Sequence, residues 1–213
     1  LAFCPYFAHN NSKIVTDACS SGSGFYEVTQ SLMENGAKKY YLPLINCATS
    51  NDSYMMEGAR NYRIKEAYEL YVYDAENNED EDGFRKFFNK KNTLDVDKVK
   101  KLLVNNIVPI IAMFVPPSFH NLTGKSVWEF SAEEKSDPAK AQVAEVGVQH
   151  AKHAVTIVSY DDKKNGGSFE IMNSWCSSFG DDGYVWVRYT DLQKYVYQAI
   201  YVDFSPTVPT TST

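Results

Sequence analysis

From His153 to Asp203 the chain consists almost wholly of short strand-like runs separated by turn residues, and this stretch constrains the fold more than any other. His153-Ala-Val-Thr-Ile-Val-Ser-Tyr160 alternates as a strand. Asp161-Asp-Lys-Lys-Asn-Gly-Gly167 has hairpin-turn composition, and Ser168-Phe-Glu-Ile-Met-Asn173 is the returning strand. Gly183–Tyr189 and Tyr197–Asp203 add two more runs. Strands joined by tight turns pair antiparallel.

The earlier part of the chain has a different character. Phe25, Val28, Leu32 and Met33 fall at helical spacing after the turn-rich Cys19–Gly24, and Gly36 supplies a C-terminal stop, so a helix is expected over Phe25–Asn35. Tyr40–Ile45 reads as extended and 46–62 as loop. Arg63–Tyr73 has the aromatic and branched residues of a strand, with some helical signal as well. The acidic run Asp74–Asp82 reads as a solvated loop. Val96, Val99, Leu102 and Leu103 predict a helix over Asp95–Asn105 with its cap at Asn92-Thr93. Ile107–Val115 is a buried strand stopped by Pro116-Pro117. Helices first and an antiparallel sheet afterwards predict an α+β protein with two unlike lobes, about 1–105 and about 106–204. The Pro/Thr-rich tail 205–213 reads as an extended linker or a frayed end.

Composition narrows the function. The chain has 213 residues, 44% of them hydrophobic and 23% charged, an ordinary globular balance. Lys+Arg of 21 against Asp+Glu of 27 gives a net charge of −6 with no basic stretch, which argues against nucleic acid and anionic membranes as partners. No apolar run is long enough to span a bilayer. Four cysteines, Cys4, Cys19, Cys47 and Cys176, are too scattered for a disulfide scaffold. His150 and His153 form His-x-x-His without a third ligand at zinc spacing, so neither a metal nor a cofactor is expected. His9 and His120 have no motif around them and read as surface or packing residues. The sequons at Asn10, Asn51 and Asn121 lean weakly towards a secreted setting.

The chemistry lies in one constellation: His153-Ala154-Val155, the hairpin, Asn173-Ser174-Trp175, then Gly180-Asp-Asp-Gly-Tyr184. His153 opens one strand and Asn173 closes its neighbour, so the two ends should meet. A carboxamide oxygen accepting one ring N–H fixes an imidazole's tautomer and rotation, and leaves the other ring nitrogen for a thiol.

These motifs resemble those of the papain-like cysteine peptidases. His-Ala-Val-x-Ile-Val-x-Tyr, Asn-Ser-Trp and Gly-Asp-x-Gly-Tyr follow that family's C-terminal pattern in order and spacing. Cys19-Ser-Ser-Gly22, then Asn35-Gly36 and Leu42-Pro43, is similar to the family's Cys-Asn-Gly-Gly segment, which pairs with substrate backbone. The resemblance implies a two-lobed fold whose C-terminal part is an antiparallel sheet or barrel. It implies catalytic roles for His153 and Asn173, and a substrate-facing set of Gly22, Ser23, Lys152 and Trp175. Trp175 would shield the Asn–His hydrogen bond from water.

There are departures as well. The family's Gln-Gly-x-Cys-Gly-Ser-Cys-Trp segment has no counterpart, so the nucleophile and the oxyanion-binding glutamine are expected from an upstream segment or a partner chain. The family's glycine before the histidine is Lys152, the glycine after Asn-Ser-Trp is Cys176, and its second tryptophan is Phe179. Cys4 at Cys4-Pro-Tyr-Phe-Ala8 is an in-chain alternative nucleophile. By the same resemblance Cys4 could instead pair with Cys47, and Cys19 with a cysteine upstream. The expected function is peptide-bond hydrolysis given an external thiol, in a secreted or endolysosomal-type compartment and with a polypeptide as substrate. The alternative is an inactive pseudopeptidase that binds peptides or serves structurally. A transglutaminase-like acyltransferase is disfavoured because such enzymes orient the histidine with aspartate.

Overall fold

The computed structural model describes residues 24–37, 62–73, 87–88, 90–137, 152–175 and 177–204. The four cysteines, Gly22, Ser23, His9, His150, the segment 40–45, the acidic run 74–82, the sequons at Asn10 and Asn51, and the tail 205–213 lie outside them.

Two compact units are present, Leu1–Tyr68 with Val202–Thr213, and Glu69–Tyr201. In the first, α1 (Phe25–Glu34) ends at Asn35, and Gly36 takes a φ of 78°, the left-handed stop its sequence suggests. The Ala37 N–H donates to the Tyr62 carbonyl, and the Lys65 N–H to the Asp203 carbonyl.

The second unit holds most of a six-stranded sheet in the order β1-β6-β2-β3-β4-β5, built from β1 (Glu66–Val72), β2 (Ile110–Phe114), β3 (Lys152–Asp161), β4 (Ser168–Met172), β5 (Tyr184–Arg188) and β6 (Val196–Asp203). The sheet is open, with β1 and β5 at its edges, and is not a closed barrel. Between strands lie α2 (Val96–Val104), α3 (Pro117–His120), α4 (Ala132–Ser136) and α5 (Tyr189–Tyr195). The architecture is α+β, as the order of sequence periodicities implied. The α2 cap is Asp95, not Asn92-Thr93: the Asp95 carboxylate accepts from the Asp97 and Lys98 N–H groups at 3.0 and 3.1 Å. A carboxylate directly before the first helical residue satisfies two otherwise orphaned donors, which residues farther upstream cannot reach.

Three short helices were not expected from the periodicity. In α4, Ser131 and Glu134 form a reciprocal capping box, and the Glu134 carboxylate also accepts from the Ser118 N–H at 2.8 Å, which ties α4 to α3. Val155, Ile157, Ile171, Val185 and Val187 alternate into one face of the sheet and are fully or nearly fully buried. The alternation of β3 breaks at Val158, where a bulge shifts the pairing from Ile157↔Ile171 to Ser159↔Glu170.

Candidate active site

The β3–β4 ladder positions the pair. Thr156 faces Met172, so one further step sets Asn173 opposite Val155 and diagonal to His153, on the same face of the sheet. Buried Val155 and Ile157 follow His153 at period two, and Met113 of β2 is its partner on the other flank. The ring is thereby held against the core at the end of β3.

His153 Nε2 and Asn173 Oδ1 are 2.7 Å apart. The same Oδ1 accepts the Ser174 N–H at 2.8 Å, which decides the amide's orientation: the atom facing Ser174 must be the acceptor. An amide oxygen cannot donate, so His153 Nε2 carries the proton and donates. Nδ1 of the neutral ring is then the nitrogen with the free lone pair. Asn173 is buried, and its Nδ2 has no hydrogen-bond partner among the described residues.

Aromatic rings surround the pair. Trp175 lies 4.7 Å from the His153 ring at 34°, with Phe119 at 5.2 Å and Phe179 at 5.7 Å edge-on to its indole. His120 stacks on Trp175 at 5.4 Å and 17°. Burial in this shell pulls the His153 pKa below its ordinary value, the Asn173 hydrogen bond pushes it up, and the charge of His120 pulls it down again. The net direction is down, which favours the neutral ring.

Of the residues expected at the site, His153, Asn173 and Trp175 come together. The side chain of Lys152 does not join them. Neighbours on a strand point to opposite faces, and the Lys152 ammonium lies 5.9 Å from the Phe114 ring centre and 5.7 Å from that of Tyr197. Sequence reasoning missed Phe119 and His120. Both come from α3, a four-residue helix opened by a proline, too short to show any period. Among the described residues no group of three or more metal-ligating side chains occurs, and no helix is long and apolar enough to cross a membrane.

The fold is α+β, with an oriented imidazole at the end of one strand of its antiparallel sheet. More particularly, residues 120–201, which include His153, Asn173 and Trp175, match the papain family of cysteine proteases. No curated protein sequence matches the chain. Among solved structures the chain is similar to xylellain, a cysteine protease from Xylella fastidiosa, with 18% identity and a TM-score of 0.65 over 94% of this chain. It is also similar to digestive procathepsin L 3 of the Tenebrio molitor larval midgut, with 15% identity and a TM-score of 0.53 over 92%. A third is the proform of Amb a 11, a cysteine protease and ragweed pollen allergen, with 14% identity and a TM-score of 0.55 over 96%. The chain spans 69% of the xylellain chain and 54% and 53% of the two proforms. The fold is thus papain-like, and the match to the papain family itself covers residues 120–201.

Proposed function

We propose that this chain carries the histidine–asparagine half of a cysteine peptidase, which hydrolyses peptide bonds with a thiol supplied from outside residues 1–213. The observation that supports this reading best is the 2.7 Å contact between His153 Nε2 and an Asn173 oxygen whose orientation Ser174 dictates. It leaves Nδ1 as the proton acceptor. His153 Nδ1 takes the thiol proton, giving a thiolate–imidazolium pair, and the thiolate attacks the substrate carbonyl. The imidazolium protonates the departing amine, and water then hydrolyses the acyl-enzyme with the neutral ring again acting as base. Asn173 holds the ring through the cycle, and Trp175 keeps water from the Asn–His hydrogen bond, strengthening it in a drier environment. Gly22 and Ser23 would contact substrate through their backbone. We assign the protein to a secreted or endolysosomal-type setting, in keeping with the three sequons; the side chain of Asn121 is exposed.

Treating the intact natural protein with an epoxide that traps papain-type thiols, then locating the adduct by mass spectrometry, tests the proposal. An adduct on a cysteine beyond residues 1–213 supports it. An adduct on Cys4 keeps the hydrolase and moves the nucleophile into the chain. No adduct, with a papain-like control fully labelled, replaces the proposal with an inert peptide-binding module.

A further inference from the structure

Trp175 poses a mechanical problem. Its side chain is 36% exposed, yet it covers the His153 ring. A half-exposed indole shields a hydrogen bond only while something holds it in place. Phe119 and Phe179 meet its edges, and the exposed His120 stacks nearly parallel to it. Stacked and edge-to-face arrangements are the two favourable aromatic geometries, so the indole is held by both kinds of contact. His120 differs from the other two rings because it can take up a proton, which converts its stack on Trp175 into a cation–π contact.

The geometry points to His120 as a positioning residue, whose stacked ring holds Trp175 against His153 and whose charge is felt by the His153 imidazole. A proton on His120 tightens the stack and, through Coulomb repulsion, disfavours a second proton on His153. Among the described residues, the titratable group coupled to His120 from β3 is His153, and the turn 173–180 offers it the uncharged Trp175. Other charges lie around the rest of this segment: Ser118 of α3 and Asn121 just after it line a cavity of about 650 Å³ with Lys125, Glu129, Glu133 and the buried Glu134. Control of catalysis by His120 rests on the proposed peptidase reading. The ring stack and the coupling between the two histidines do not.

Fluorescence and NMR titrations of the full chain separate these layers, since neither needs turnover. A protonated imidazole in contact with an indole quenches its emission. The wild-type protein should therefore show a pH-dependent emission transition that Trp175→Phe abolishes and that His120→Phe reduces to the part due to His153, which also touches the indole. His120→Phe keeps an aromatic ring on Trp175 without the charge, so the His153 ring signals should titrate with a midpoint moved upward from wild type. In His120→Gln, which lacks the ring, Trp175 emission should shift to the red and become more accessible to a soluble quencher. An emission transition of undiminished amplitude in His120→Phe, or a His153 midpoint equal in wild type and His120→Phe, overturns the inference. Failure of epoxide labelling would remove the peptidase reading and leave these results standing.

Discussion

Replacing Asn173 with alanine probes the site most directly. Its Oδ1 accepts two hydrogen bonds, from His153 Nε2 at 2.7 Å and from the Ser174 N–H at 2.8 Å. In Asn173→Ala the N–H of exposed Ser174 can turn to water, but the partly buried ring N–H loses its acceptor, which costs about 1–3 kcal/mol. Deleting Nδ2, a buried donor with no partner among the described residues, recovers part of that cost. The net loss of folding stability should therefore be small, about 1 kcal/mol by urea titration. Catalysis has no such offset, because nothing then fixes which ring nitrogen faces the thiol. The same 1–3 kcal/mol, applied to the transition state, is about a 5- to 150-fold fall in kcat/KM on a fluorogenic peptide with the natural protein. Asn173→Asp keeps both acceptor positions and removes the orphaned donor, so the ring should stay oriented. A nitrogen-15 spectrum of His153 reads the tautomer without turnover. The argument from Ser174 to Oδ1 to Nε2 to Nδ1 fails if Asn173→Ala keeps kcat/KM within about twofold and His153 still holds its proton on Nε2.

Other perturbations test the scaffold around the pair. Gly180 has a φ of 58°, and an added Cβ would lie 2.2 Å from the Tyr184 backbone oxygen, whereas Gly124 at φ 70° has nothing within 4 Å. Gly180→Ala should cost about 2–4 kcal/mol and Gly124→Ala about 1 kcal/mol in urea unfolding, and equal costs would refute the close approach. Lys90 donates to the Lys194 carbonyl at 2.7 Å, and burial lowers its pKa from 10.5 to about 7. Between those values the unfolded chain binds more protons than the folded one, so stability rises with pH. Wild type should gain up to about 2 kcal/mol from pH 7 to 9 and Lys90→Met should not; parallel profiles would sink the assignment. The window closes near pH 10, where buried tyrosines such as Tyr71, pushed up to about 12, reverse the slope. Trp128→Phe loses the indole N–H bond to Ser118 Oγ at 2.8 Å and leaves a void beside Phe119. It should cost about 1–3 kcal/mol by thermal or urea unfolding, and a change below about 0.5 kcal/mol would show the bond to be dispensable.

The parts of the fold legible in the sequence are those with a strong period. Val155, Ile157, Ile171, Val185 and Val187 alternate in sequence and share a buried face, and Val99 of α2 lies where its helical spacing puts it. The short helices α3 and α5 have no such signature. The α4 signal was present as Ser131-Ala-Glu-Glu134, a capping box that can be read without any period at all. The bulge at Val158 changes nothing in composition, since it arises from the mismatch between β3 and β4 and is a property of the pair. At the site the rule divides the same way. His153 and Asn173 are strand ends linked by one hairpin, so their meeting follows from counting. His120 reaches Trp175 through tertiary packing of a four-residue helix, and no spacing within the chain encodes that.

The pair's construction has a consequence for any thiol it serves. Among the described residues, the groups that orient His153 all belong to residues 69–201: the β2 and β3 ladders, the Asn173 acceptor pinned by Ser174, and the Phe119–Trp175–Phe179 rings. The imidazole therefore has its tautomer set, Nδ1 free and burial favouring the neutral state, before a nucleophile is offered to it. The ladders and rings keep His153 in place without Asn173, whereas its tautomer is set by the Asn173 acceptor, so Asn173→Ala is expected to lose at least as much in rate as in stability. On the proposed peptidase reading, a base held this way needs only a thiol placed within hydrogen-bonding distance of Nδ1, and the energetic burden of assembling the site would fall on the element that carries the thiol.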